Sequence, residues 1–434
     1  MMQYPAELEI EPYPKPVNAT VSVPGSKSIT NRALVLTALT RMDVPLVLEG
    51  ALQSEDTELM VNALQQLGYA VEADWPKGRI TFAIQEPPLI PSKSADLLVG
   101  NSGTTMRFLT AMLATRKGRY RLDGVPRMRE RPIRDLLDAL NQFEGVTATS
   151  EAGNGCPPVI IESTGLKGGR VRIRADVSSQ FLSALLMAAP FAEELVELEV
   201  EGTMVSEPYI DMTLAMMKIW GNPVERIGSS YRVAPRSLTL PAPAPYYAIE
   251  PDASAASYFF AAAAITGGRI TVRGMKPDML QGDVKFVDAL AAMGCRVETC
   301  DEGITVHGKP LCGIDIDMNA ISDTVMTLAA VACFAEGPTT IRNVGHIRHK
   351  ETDRIAAVAN ELRKLGAGVE EYPEGMKIIP GPLHGAKVET YNDHRMAMSL
   401  TLVGLRVPGV VILNPGCVVK TYPGFWQDFA ALRI

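Results

Sequence analysis

One hydrophobic pattern recurs six times along this chain. A small polar cluster is followed by an apolar run of helical length. A short strand of alternating character comes next, then a polar loop, then a second run with apolar residues at helical spacing. The clusters are GSKSITNR (25–32), GNSGTTMR (100–107), DVSSQFL (176–182), PDASAASY (251–258), SDTVMT (322–327) and YNDHRMAM (391–398). Anchored at Ser28, Ser102, Ser178, Ser254, Asp323 and Asp393, they lie 74, 76, 76, 69 and 70 residues apart. The strands are VPLVLEG (44–50), YRLDG (120–124), VELEVEG (196–202), RITVRG (269–274), TTIRN (339–343) and VVILN (410–414). In four repeats the second helical run stops at Gly68, Gly221, Gly294 or Gly366, before a strand carrying Val-Glu, and Gly145 takes that place in the second repeat. Glycine suits the left-handed residue that ends a helix.

Strands alternating with two helices per repeat predict α/β or α+β layers rather than an all-helical or all-β fold. The period is too long for a solenoid of small repeats. The segment 235–251, PRSLTLPAPAPYYAIEP, holds five prolines and is expected to link the third repeat to the fourth. Three repeats on each side predict two lobes with a ligand cleft between them. A length of 434 residues fits such a division.

Composition narrows the class. Hydrophobic residues are 47% and charged residues 21%, which excludes disorder, collagen or coiled coil as the whole answer. The longest apolar stretches, Phe181 to Ala192 and Ala255 to Ile265, run to about 12 residues, where a membrane span needs about 20. The start, MMQYPAELEIEPYPKP, reads as neither a signal nor a transit peptide, and the six cysteines, read as reduced thiols, fit a cytoplasmic location. The six cysteines (156, 295, 300, 312, 333 and 417) form no CxxC pair and have no His at metal spacing. Cys295 and Cys300 are read as reduced thiols rather than a metal or redox pair, and no metal is expected. A net charge of -7, from 42 cations and 49 anions, lacks the basic footprint of a nucleic-acid binder. Such a chain binds anions only where its cations are concentrated.

They are concentrated beside the polar clusters. Lys27 and Arg32 flank the first, Arg107 follows the second and Arg395 the sixth. In loops after strands, Arg127, Arg129 and Arg131 are opposed only by Glu130 in the sequence, Arg348, Lys350 and Arg354 are interrupted by Glu351 and Asp353, and Lys420 follows the sixth strand. Taken singly, each Ser, Thr, Asp or Asn is an N-cap and each charge cluster a solvated surface. Their enrichment at the same position in several repeats points instead to phosphates or carboxylates at helix N-termini. A small polyanionic substrate is expected. Asp323 is either an N-cap or a general base. Glu351 either complements a helix dipole or moves a proton. His394 is a proton carrier, a hydrogen-bond donor or a capping neighbour. No P-loop and no GxGxxG is present.

The motifs PGSKSITNRAL, GNSGTTMRFL, PRMRERPI, VSSQFLSALL, PYIDMT, DASAASYF, QGD, KETDR, NDHRMAM and KTYP, in this order between residues 23 and 423, resemble the EPSP synthase family of enolpyruvyl transferases. The resemblance implies two similar domains, each of three βαβαββ repeats around buried helices, an inside-out α/β barrel. It implies an N-terminal lobe, 23–240, mainly for shikimate 3-phosphate, and a lobe of 1–22 plus 241–434 with the catalytic and phosphoenolpyruvate (PEP) residues. The implied reaction transfers the enolpyruvyl group of PEP to the 5-hydroxyl of shikimate 3-phosphate through a tetrahedral intermediate, in aromatic amino acid biosynthesis, without cofactor or metal.

By motif match, Lys27, Ser28, Arg32, Ser178, Ser179, Gln180, Ser206, Tyr209, Asp323, His346 and Lys350 are implied to hold shikimate 3-phosphate, the serines 178, 179 and 206 at its phosphate. Lys27, Asn101, Gly103, Arg127, Gln180, Arg354, Arg395 and Lys420 are implied around PEP. Asp323 is the implied base for the 5-hydroxyl. Glu351 is implied to protonate and later deprotonate the methyl carbon, with Lys27 sharing proton traffic and His394 nearby. Glyphosate is implied as an inhibitor at Gly103, and the family is usually monomeric. Two residues depart from the family's pattern. His346 stands where bacterial and plant members often carry an Asn that contacts the shikimate side. Phe108 stands where they often have a Pro behind the PEP loop.

Three rivals remain. UDP-N-acetylglucosamine enolpyruvyl transferases share the fold, but their active loop carries Cys, or Asp in some members, and PRMRERPI has neither. A non-catalytic anion-binding protein on the same scaffold fits less well while Lys27, Asp323 and Glu351 are all present. An RNA-processing enzyme is disfavoured by the acidic balance and the lack of aromatic-basic platforms.

Overall fold

The computed structural model describes residues 4–84, 90–236 and 244–433. Residues 237–243, the middle of the Pro-rich segment, lie outside them. The chain divides into two compact units, Gly25–Ile249 and the residues up to Pro24 together with those from Glu250 onward. The division therefore falls at 24/25 and 249/250 rather than at 22/23 and 240/241. The strand Tyr246–Ala248 accounts for the second shift, because it pairs in parallel with Leu46–Glu49. Gly25 sits at the first crossing, where a Cβ would lie 1.8 Å from the Gly50 carbonyl oxygen.

Six sheets correspond to the six repeats. In the second repeat the buried helix Gly103–Leu113 leads to the strand Lys117–Asp123. That strand pairs in parallel with Ser94–Leu98 on one side and antiparallel with Val159–Thr164 on the other, and Val146–Ser150 completes the hairpin. The same order recurs in the other four-stranded sheets. The alternating pattern explains the third: Val196 and Leu198 face inward while Glu197 and Glu199 face outward. There the register sets Arg170 beside Glu197 and Arg172 beside Glu199, a charge ladder on the wet face. The sixth repeat lacks its hairpin, and Glu7–Ile10 pairs antiparallel with Val410–Leu413 in its place. Asn18–Val21 likewise serves as parallel edge to Arg269–Arg273.

Each unit is built around three buried helices. In one these are Lys27–Leu39, Gly103–Leu113 and Ser179–Ala188; in the other, Ala253–Thr266, Val325–Ala332 and His394–Gly404. A helix apolar on all sides has no wet face to offer, and every residue of Ala253–Thr266 is buried. Gly68, Gly221, Gly294 and Gly366 follow helix ends with φ between 78° and 111°. All six cysteines are free thiols. Among the described residues no helix is long and apolar enough to cross a membrane, and no group of His, Cys, Asp and Glu is set to hold a metal ion.

Candidate active site

Only three of the six anchor residues cap their helix. Ser102, Ser178 and Asp393 accept from backbone N–H groups of the first turn. The first and fourth helices are capped by Ser26 and Asp252, which leaves Ser28 and Ser254 inside the first turn. The fifth has Thr324 at its N-cap, without a side-chain bond. Asp323 is thus not a cap, and its carboxylate is used elsewhere.

In the Gly25–Ile249 unit, Lys27 opens its helix with Nζ 3.2 Å from the buried Asp56 carboxylate. Arg32 is 1% exposed. Its guanidinium donates to Thr213 Oγ1 (2.8 Å), Ser28 O (3.1 Å), Tyr209 O (3.3 Å) and Ser183 Oγ (3.4 Å). The rings of Phe108 and Tyr209 lie 5.1 and 5.8 Å from it. These partners are neutral, and burial lowers the Arg32 pKa to about 10, still charged at neutral pH. Phe108 thus gives the Arg32 guanidinium a cation–π contact.

A second cluster surrounds Gly103. Arg131 donates to Asn101 O (3.0 Å) and Asn101 Oδ1 (3.3 Å), and Arg107 donates to Gly103 O (3.3 Å) and Pro132 O (3.0 Å). A Cβ at Gly103 would come within 2.6 Å of Arg131 Nη2 and 2.8 Å of Arg107 Nη1. Asn31 Nδ2 donates to Thr104 Oγ1 at 2.7 Å, tying this cluster to the helix that carries Lys27 and Arg32. The expected arginine cluster divides. Arg131 is buried on Asn101, Arg129 pairs with Asp123 (2.7 Å), and Arg127 is left near the surface with Glu130 (2.8 Å). Asp123 is thus a second opposing carboxylate, brought in by the strand before the loop. Ser178 Oγ accepts from Gln180 N at 3.2 Å, and Ser179 is buried beside it. Ser206 is left-handed, φ 52°, and its carbonyl accepts from Tyr209 N at 3.0 Å.

In the other unit the guanidinium of Arg354 gathers three carboxylates. It donates to Asp393 Oδ2 (2.8 Å), Glu351 Oε2 (2.9 Å) and Asp323 Oδ1 (3.0 Å). Burial opposes its charge, but Asp393, Glu351 and Asp323 together hold its pKa above the ordinary value. Asp323 Oδ2 also accepts from Arg395 Nη2 (2.8 Å), with Lys350 Nζ 4.0 Å away from Oδ1. Lys420 Nζ lies 3.9 Å from Glu351 Oε1. Four cations, Arg354, Arg395, Lys350 and Lys420, are gathered here around carboxylates, a concentration that suits an anionic ligand. His394 is buried, with Nδ1 3.6 Å from Asp393 Oδ1. Arg348, by contrast, is tied to Asp353 and Glu371 and belongs to the scaffold.

His346 is 7% exposed, and burial followed by the charge of Lys350 lowers its pKa from 6.5 to about 3. It is a neutral imidazole at physiological pH, with one donor and one acceptor, so it can both donate and accept as an Asn side chain can, with one N–H fewer. The folded value lies below the ordinary one, so neutrality stabilises the protein above about pH 6.5, and that contribution fades as pH falls toward 3. The His346 C2 proton is therefore expected to show no titration between pH 5 and 8 by NMR. A midpoint near 6.5 would mean that the imidazole is solvated.

Sequence reasoning gave no role to Asp56 or Asp283 and read Asp393 only as a helix cap. Asp283 lies in the QGD motif and hydrogen-bonds Ser254 Oγ. Burial, then the charge of Asp323, pushes its carboxyl up to about 6. The motif was visible; the partner 29 residues away was not.

The sequence model of the family described as EPSP synthase (3-phosphoshikimate 1-carboxyvinyltransferase) matches residues 12–429. The 3-phosphoshikimate 1-carboxyvinyltransferase of Nostoc punctiforme is 50% identical over 423 residues, covering 97% of this chain and 98% of that one. The one from Shewanella amazonensis is 45% identical, covering 98% and 99%. Among solved structures, EPSP synthase from Acinetobacter baumannii superposes with a TM-score of 0.78 at 24% identity over 98% of each chain. The enolpyruvyl transferase NikO from Streptomyces tendae gives 0.76 at 20% identity, over 99% and 98%.

Proposed function

The chain belongs to the EPSP synthase family, and from that membership we propose that it transfers the enolpyruvyl group of PEP to the 5-hydroxyl of shikimate 3-phosphate and releases phosphate. The observation that carries this reading is the Arg354 centre. Asp323 and Glu351 are fixed on one guanidinium at 3.0 and 2.9 Å, with Lys350, Arg395 and Lys420 beside them. Two proton-transfer groups set among cations are what addition to an enol phosphate needs. One carboxylate takes the hydroxyl proton as its oxygen attacks PEP, and an acid delivers a proton to the methylene carbon. Asp323 takes the first role. Glu351, with Lys27, takes the second and removes a methyl proton as phosphate leaves the tetrahedral intermediate. The surrounding cations stabilise the charge on the carboxylate and phosphate throughout.

The binding roles follow the same chemistry. Lys27, Asn101, Gly103, Arg127, Gln180, Arg354, Arg395 and Lys420 hold PEP. Lys27, Ser28, Arg32, Ser178, Ser179, Gln180, Ser206, Tyr209, Asp323, His346 and Lys350 hold shikimate 3-phosphate. Arg32 is suited to this because its partners are neutral oxygens and rings, which leaves its charge for the anion. His394 supports proton movement beside Asp393. The enzyme acts as a cytoplasmic monomer.

Phosphate release from PEP, with shikimate 3-phosphate or UDP-N-acetylglucosamine as acceptor, tests the reading. Release that requires shikimate 3-phosphate supports it; release only with the UDP sugar overturns it. Glyphosate is expected to inhibit competitively with PEP, because Gly103 leaves room that a Cβ would take. A titration without inhibition at millimolar levels would sink that expectation.

A further inference from the structure

Tyr391 and Asn392 both have left-handed backbones, with φ of 54° and 53°. Asn tolerates that conformation, but Tyr adopts it at a cost and keeps it only where its surroundings over-determine it. The two lie immediately before Asp393, His394 and Arg395. What holds them comes from the helix Arg354–Lys364. Glu361 is seven residues beyond Arg354 on that helix and is 0% exposed. Its Oε1 accepts from Tyr391 OH at 2.7 Å and its Oε2 from Glu389 N at 3.0 Å. Lys364 Nζ, 2.8 and 2.9 Å from the two oxygens, balances the charge. A buried carboxylate thus spans the turn on both sides of Thr390. The constraint continues beyond it. Asn392 Oδ1 accepts from Asn414 Nδ2 at 3.1 Å. Asn414 is itself left-handed, φ 49°, and precedes the turn Pro415–Lys420.

We propose that Glu361, acting through Tyr391, is a positioning residue for the reaction: it locks the Tyr391–Asn392 turn so that Asp393 meets Arg354 and Arg395 meets Asp323, and the Asn392–Asn414 contact carries the lock to Lys420. One helix then bears Arg354 at its start and, two turns on, the clamp that fixes the partners of Arg354. The strained turn is the link between them. The proposal rests on the assignment of Arg395 and Lys420 to PEP, made above.

Tyr391→Phe removes one hydroxyl, and Glu361→Gln replaces one acceptor oxygen with a donor NH2 and removes the charge that Lys364 balances. Steady-state kinetics and thermal denaturation would be measured for both, beside Arg395→Lys. KM for PEP is expected to rise in each clamp variant, by up to about 10²-fold for a misplacement of about 1 Å, while KM for shikimate 3-phosphate stays within about twofold. Equal rises in both KM values alongside a lower Tm would reduce Glu361 to a structural carboxylate and overturn the proposal. If Arg395→Lys raises KM for PEP and both clamp variants do not, the clamp alone falls. If Arg395→Lys leaves KM for PEP unchanged, the PEP assignment fails and the proposal falls with it.

Discussion

Asp323→Asn and Glu351→Gln are each expected to cut phosphate release by about 10²–10⁴-fold, the range associated with a lost general acid or base. Each substitution keeps the shape; Asp323→Asn removes a base and its charge, and Glu351→Gln removes the proton that Glu351 would deliver. Arg354 keeps two of its three carboxylates, so the centre stays assembled. Neither change removes a cation, so PEP, an anion, should bind as tightly as before or more tightly. The expected signature is a fall in kcat with a PEP Kd, measured by calorimetry, that holds or tightens. Loss of PEP binding in step with kcat would assign these carboxylates to holding the cations in place and end their assignment to proton transfer. Single-turnover measurements separate the two proton steps. Asp323→Asn should slow formation of the tetrahedral intermediate. Glu351→Gln should slow both its formation and its collapse.

The repeat was legible because each copy restates one hydrophobic pattern, and six sheets answer to six strand signals. The parallel edge strands were harder to read. Lys387–Val388 is two residues long, and Tyr246–Ala248 lies beside a Pro-rich segment; neither shows an alternation of its own. Both exist because a central strand needed a neighbour. At the site, cations at helix starts could be read from position, but their pairing could not. Arg127, Arg129 and Arg131 look equivalent in the sequence, yet they take an exposed glutamate, a strand aspartate and an asparagine. The choice is made by Asp123 and Asn101, residues that tertiary packing brings in. The cap signal misled in a similar way. Ser or Asp near a helix start reads as a cap, and at Asp323 the cap site went to Thr324 while the carboxylate turned to two arginines. A carboxylate released from capping and bonded to two guanidiniums is better read as a site residue than as a helix signal.

Arg354→Met should be the most destabilising single change in this centre. The guanidinium is buried, and its donors are spread over Asp323, Glu351 and Asp393, of which Asp393 is fully buried. Removing the cation leaves carboxylates facing one another in a site of low dielectric. Breaking one partner out of a buried ion pair costs about 3–5 kcal/mol. For a unit of this size each kcal/mol moves Tm by about 2–4 °C, so a fall of roughly 6–20 °C is expected. Arg354→Lys should recover only part of it, because an ammonium cannot present the planar fork that reaches three separate acceptors. Adding Asp393→Asn to Arg354→Met removes one stranded charge and should raise Tm above that of the single variant, a non-additivity that a double-mutant cycle reads directly. A Tm for Arg354→Met within about 2 °C of the parent would mean that the stranded carboxylates find other partners or protons at little cost. The centre would then be held by backbone packing, and the guanidinium would serve the substrate alone.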